Sequence, residues 1–128
     1  MKVRMMMKRD LDANVYVATV DHRLQHLQKY LGDFRQGKFS SVVLPLWNLR
    51  ALQDEMRLAG HRDLAELCRW MERGIMRLQM GKDEDPERLA AEIATVSEHI
   101  KRGVREAYSG PDMPAAKHPE RLSEVSIA

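Results

Sequence analysis

The sequence predicts an all-α fold, an antiparallel four-helix bundle. Apolar residues recur at three- and four-residue spacings in four consecutive segments, the period of a helix with one buried stripe. Core bulk comes from Leu, Ile, Val, Met and Ala, since Phe34, Phe39, Trp47, Trp70 and three tyrosines supply all the aromatic volume. The connections between the segments are short, and a short loop cannot carry the chain back to the end it left, so successive helices must alternate in direction.

A length of 128 residues, 44% hydrophobic and 31% charged, suffices for one core and is too small for two ordinary domains. The expected division is a flexible basic N-terminus over residues 1–9, the bundle over 10–108 and a disordered tail over 109–128. The tail is expected to be disordered because the apolar period stops after Tyr108, and Ser109, Gly110, Pro111, Pro114 and Pro119 follow.

The first helix is expected over about residues 10–36, with Val20, Leu24, Leu27, Leu31 and Phe34 as its stripe. Its opening, from Val15 to Val20, has strand-like β-branching, but no second strand is visible to pair with it, so the helix is extended through it. Residues 37–41 form a turn, and Pro45 belongs in the first turn of helix two, where its missing amide would have had no partner. That helix runs to about Ala59 with Leu46, Leu49, Leu52 and Met56 as its core face, and Gly60 ends it. Asp63 and Glu66 have capping-box spacing for helix three, whose stripe is Leu64, Leu67, Cys68, Met71, Ile75 and Leu78, closed by Gly81. Asp85 and Pro86 fit as the N-cap and first residue of helix four, which carries Leu89, Ile93, Val96, Ile100 and Val104.

Several function classes are set aside by the same residues. A single cysteine, Cys68, can make neither an internal disulfide nor a zinc site alone, and it lies in the helix-three stripe as a small core hydrophobe. No stretch is long enough to cross a bilayer and no secretory leader is visible, so a cytoplasmic, reducing location is expected, with no membrane partner. The net charge of +2 comes from basic and acidic residues interleaved along the chain, and nucleic acid is not the expected partner. His22 and His26 share a helix face but lack a third ligand, so no metal and no cofactor are expected. His61, after Gly60, is placed to contribute to capping.

Helix two carries more apolar residues than one face can use, since Trp47, Ala51 and Leu58 fall opposite its core stripe. Either the helix is central and buries both sides, with the Met-rich N-terminal segment a candidate cover for Trp47, or Trp47, Arg50, Asp54 and Arg57 form an exposed contact surface. A tryptophan beside arginine is the kind of anchor that dominates binding energy.

Residues 49–72, LRALQDEMRLAGHRDLAELCRWME, resemble the histidine-phosphotransfer (HPt) domain family, in which a helix bearing H-x-x-K-G is followed by a glycine and a helix that opens on L-A-E-L and closes with a glutamate. Gly60, Leu64, Ala65, Glu66, Leu67, Cys68 and Glu72 occupy those places. The resemblance is close over residues 60–72, loose over the rest of the helical region, and implies a four-helix bundle. Counting back from Gly60 puts Arg50 where the family has its phosphoacceptor histidine, Gln53 at its lysine and Asp54 at its glycine. Phosphoryl transfer there would need an imidazole nucleophile, a neighbouring cation and a small residue, and none is present.

The resemblance therefore implies a degenerate member: a non-enzymatic module that docks a receiver domain or histidine kinase of bacterial two-component or chemosensory signalling. Trp47, Arg50, Gln53, Asp54, Arg57 and His61 are the expected partner-binding residues. One alternative is a phosphorelay protein using His99, because residues 99–103 read H-x-x-(K/R)-G; that match sits on the last helix, and Lys101 replaces the family's apolar residue. Another is a helical adaptor or self-associating bundle, with the Trp47 face as the seam of a homodimer.

Overall fold

The computed structural model describes residues 2–108, with side chains from residue 13 onward, and places four helices along them: α1 Lys2–Arg35, α2 Val43–Leu58, α3 Arg62–Met80 and α4 Pro86–Tyr108. No strand occurs among the described residues, and none of their helices is long and apolar enough to cross a membrane. The fold is all-α. The strand-like stretch around Val15 is helical, because an isolated strand has nothing to satisfy its backbone polar groups whereas a helix satisfies its own. α1 begins at Lys2, ahead of the expected start at Asp10. The disordered tail expected over residues 109–128 falls outside the described residues, as does the candidate cover for Trp47, the side chains of the Met-rich N-terminal segment.

Each helix buries most of the stripe its spacing marks. Val20, Leu24, Leu27 and Leu31 from α1 meet Leu46, Leu49, Leu52 and Met56 from α2, Leu64, Cys68, Met71, Ile75 and Leu78 from α3, and Leu89, Ile93, Ile100 and Val104 from α4 in one core. Phe34, Leu67 and Val96 pack at its margin, only partly buried. α1 packs on α2 and α4, and α3 packs on the same two, so the helices close a ring around the core. Between α3 and α4 the approach is close because residue 74 is glycine: a Cβ there would lie 2.7 Å from Ile93 Cδ1.

Polar side chains fix the order of the ring. Between α1 and α4, Asp21 meets Arg105 at 2.8 Å and Gln28 donates to Glu98 at 2.7 Å, so partner numbers fall on one helix as they rise on the other. The same holds between α2 and α3, where Arg50 and Gln53 meet Glu72 and Met56 meets Cys68. α1 and α2 are tied by Arg23, which donates to both Glu55 oxygens at 2.6 and 2.8 Å and to Asn48 Oδ1 at 3.1 Å.

The three glycines with positive φ end helices by one device. After α2, Gly60 donates to the Arg57 carbonyl and His61 to the Met56 carbonyl, the paired bonds of a Schellman motif, and Gly37 and Gly81 close α1 and α3 likewise. The capping expectation for α3 is corrected: the helix starts at Arg62 with His61 as N-cap, and no side chain makes a cap hydrogen bond. Asp63 sits one residue inside the first turn, where its charge still favours the positive end of the helix dipole. At α4 the expectation holds, with Asp85 Oδ1 accepting the Arg88 amide at 3.2 Å.

Candidate functional site on the outward side of α2

Residues spaced four and three apart along a helix share a face, and Val43, Trp47, Arg50, Asp54 and Arg57 follow that spacing on the side of α2 opposite Leu49, Leu52 and Met56. All five are exposed. Trp47 is 66% exposed, so α2 does not bury both of its sides among the described residues. A large indole left in water on a rigid helix is the observation that singles out this face.

Two of the six expected residues are not on that surface. Gln53 is only 7% exposed; it faces α3 and donates from Nε2 to Glu72 Oε1 at 2.7 Å, because position 53 lies a quarter-turn round from the outward stripe, toward the neighbouring helix. The other oxygen of Glu72 accepts Arg50 Nε at 2.7 Å. Burial alone would raise the Glu72 carboxyl, but the hydrogen bonds from Arg50 and Gln53, with the charges of Arg50 and Arg69, hold it below the usual range. Glu72 therefore anchors the guanidinium that stands where the resemblance puts a phosphoacceptor imidazole, and Arg50 remains largely exposed around that anchor.

His61 is 3% exposed and points inward, because in a Schellman motif the residue after the glycine folds back over the last helical turn. Its Nδ1 lies 2.9 Å from the Tyr16 hydroxyl and its Nε2 3.4 Å from that of Tyr108, so a neutral ring donates to one tyrosine and accepts from the other. Burial lowers the His61 pKa to about 4 and raises those of Tyr16 and Tyr108. The ring ties α1, the α2–α3 turn and the end of α4 together. It is neither a contact residue nor a side-chain cap.

The outward face is larger than the sequence suggested. Phe39, 92% exposed, precedes α2, and Leu44 and Leu58 flank the stripe. On α3, which packs against α2, Met76 and Met80 are exposed as well. The missed signal was within reach: Phe39 stands in the segment expected to be a turn, where a large apolar residue has no core to fill.

The other candidates are differently placed. His99 is half-buried and its Nε2 is sealed from solvent with no partner among the described residues. His22 and His26 stack edge to face 5.2 Å apart on α1, and no group of three metal-ligating side chains occurs among the described residues. Cys68 is fully buried against Met56, its Sγ 3.6 Å from Sδ, and burial pushes its pKa up to about 12. Comparisons with protein-family models, with curated proteins and with solved structures found no match to this chain.

Proposed function

We propose that this chain is a non-catalytic, HPt-like, antiparallel four-helix module of the cytoplasm that docks a receiver domain or histidine kinase through the outward side of α2. The observation that carries the reading is Trp47, exposed on one stripe with Arg50, Asp54 and Arg57. The stripe offers an aromatic anchor with charges of both signs around it, the composition of an interface centre and rim. The opposed running of the side-chain pairs on α1 with α4, and on α2 with α3, supports the antiparallel arrangement. Arg50, held by Glu72 where the family's imidazole would stand, supports docking without phosphoryl acceptance, since a guanidinium keeps its proton and is no nucleophile. The sealed Nε2 of His99 gives the phosphorelay alternative no support.

The test is binding of purified chain to a receiver domain and to a histidine kinase from the same genome, read by calorimetry and by the tryptophan emission, to which Trp47 and Trp70 both contribute. Trp47→Ala should weaken binding roughly 10-fold or more, as for a central aromatic anchor, and Arg50→Glu should weaken it with the fold retained. The chain should take up no acid-labile phosphate from the kinase or from acetyl phosphate. Binding that ignores both substitutions, or phosphate uptake abolished by His99→Gln, would overturn the reading.

A further inference from the structure

The spacing on the outward side of α2 is that of a coiled-coil seam, and its charges complement themselves. Val43, Trp47, Arg50, Asp54 and Arg57 alternate four and three apart, so Trp47 and Asp54 take a positions and Val43, Arg50 and Arg57 take d positions of a heptad. Residues of opposite sign occupy adjacent layers. When two such helices lie antiparallel, a positions of one meet d positions of the other, and one two-fold register sets Arg50 against Asp54 of the second copy, Asp54 against its Arg50, and Trp47 against its Arg57. A guanidinium over an indole is itself an attractive contact. Parallel alignment would instead stack Arg50 on Arg50 and Asp54 on Asp54.

The flanking residues obey the same symmetry. Leu44, Ala51 and Leu58 are seven apart on one shoulder of the seam, which makes them e positions, and in an antiparallel pair the e positions of the two helices face each other. With the two-fold axis near the middle of α2, Leu44 of one copy lies nearly level with Leu58 of the other. Leu58, 90% exposed, and Leu44 have no other cover among the described residues. The opposite shoulder, Leu46 and Gln53, is already buried against the chain's own core and α3, so the seam leans to the side where apolar surface remains.

The charges are available for this pairing. Among the described residues, Asp54 is held only by Arg57 at 3.8 Å on its own helix, and Arg50 spends only Nε, on Glu72, so that its two terminal nitrogens make no other contact there.

We infer that the outward side of α2 takes a second copy of this chain, in an antiparallel two-fold helix pair locked by reciprocal Arg50–Asp54 contacts. The contact is one helix long, about 24 Å for 16 residues at a 1.5 Å rise. That is the small end of specific interfaces, so the dimer forms and dissociates with concentration rather than being obligate. Because it covers Trp47, it competes with the docking proposed above. It needs no signalling partner, and either can fail without the other.

The experiment is sedimentation of the full chain from about 10 μM to 1 mM, with Asp54→Arg and Arg50→Asp made singly and circular dichroism confirming that each is folded. Wild type should shift from monomer to dimer across that range. Each single variant should stay monomeric, because both copies then present like charges across the seam. An equimolar mixture of the two variants should dimerise again, since each supplies the charge the other lacks. A wild type that stays monomeric, a dimer that Asp54→Arg leaves intact, or a mixture that stays monomeric would overturn the inference. Dimerisation with no binding of receiver or kinase would leave the inference standing and remove the docking reading.

Discussion

A single ring shows how much chemistry burial can attach to one residue. His61 is enclosed by Tyr16 and Tyr108, with its pKa lowered from 6.5 to about 4, and no carboxylate is hydrogen-bonded to it among the described residues to hold a proton. Between those two values the unfolded chain binds a proton that the folded chain refuses, so stability falls as pH drops from 6.5 toward 4 and levels off below. The full effect is about 3 kcal/mol. Urea midpoints taken across that window should show the slope, and His61→Gln, which keeps a donor and an acceptor but cannot titrate, should flatten it. Glu72 acts in the same direction but lower, its stabilisation being lost only as pH falls below the ordinary carboxylate value of 4.5. A slope that persists from 6.5 to 5 in His61→Gln would assign the effect elsewhere.

Helices were the most legible level, and their faces show where legibility stopped. The stripes from Val20 to Leu31 and from Leu64 to Leu78 were readable because a 3.6-residue period leaves one way to bury them. Gly60 and Gly81 were readable as stops because a left-handed φ is cheap only for glycine. What spacing does not encode is which neighbour covers a flank: Gln53 was assigned to the contact surface because its own helix cannot reveal that Glu72 reaches it from α3. His61 was misplaced for the same reason, since its partners are Tyr16 and Tyr108, each more than 40 residues away in sequence. Two substitutions on α2 separate the faces directly. Leu49→Ala removes a fully buried side chain and should cost about 2–5 kcal/mol, whereas Trp47→Ala, two positions away, should change stability by less than about 0.5 kcal/mol. Thermal melts of the two variants provide the check. At α3, Gly74→Ala should destabilise although alanine is the better helix former, because overpacking against fully buried Ile93 costs about 1–3 kcal/mol and helix propensity returns only about 1.

In the whole molecule, one core and a ring of four helices mean that the interior opens together or not at all. Cys68 reports on that directly. Its thiol touches Met56 across the α2–α3 seam, is fully buried, and has its pKa pushed up to about 12, so the folded chain offers a disulfide reagent neither access nor thiolate. Modification must therefore wait for an opening that parts α2 from α3. Because those helices share the core with α1 and α4, that opening is expected to be global rather than local. Labelling by a chromogenic disulfide should be slow at neutral pH, and in the regime where reclosing outpaces labelling its rate should follow the unfolding equilibrium. Leu49→Ala should then raise the rate by the factor that its loss of stability dictates, about 30-fold or more for 2 kcal/mol. Trp47→Ala should leave it nearly unchanged, because removing an outward indole loosens nothing in the core. Fast labelling of the wild type, with its thermal transition intact, would mean instead that α3 separates from α2 while the rest of the ring holds.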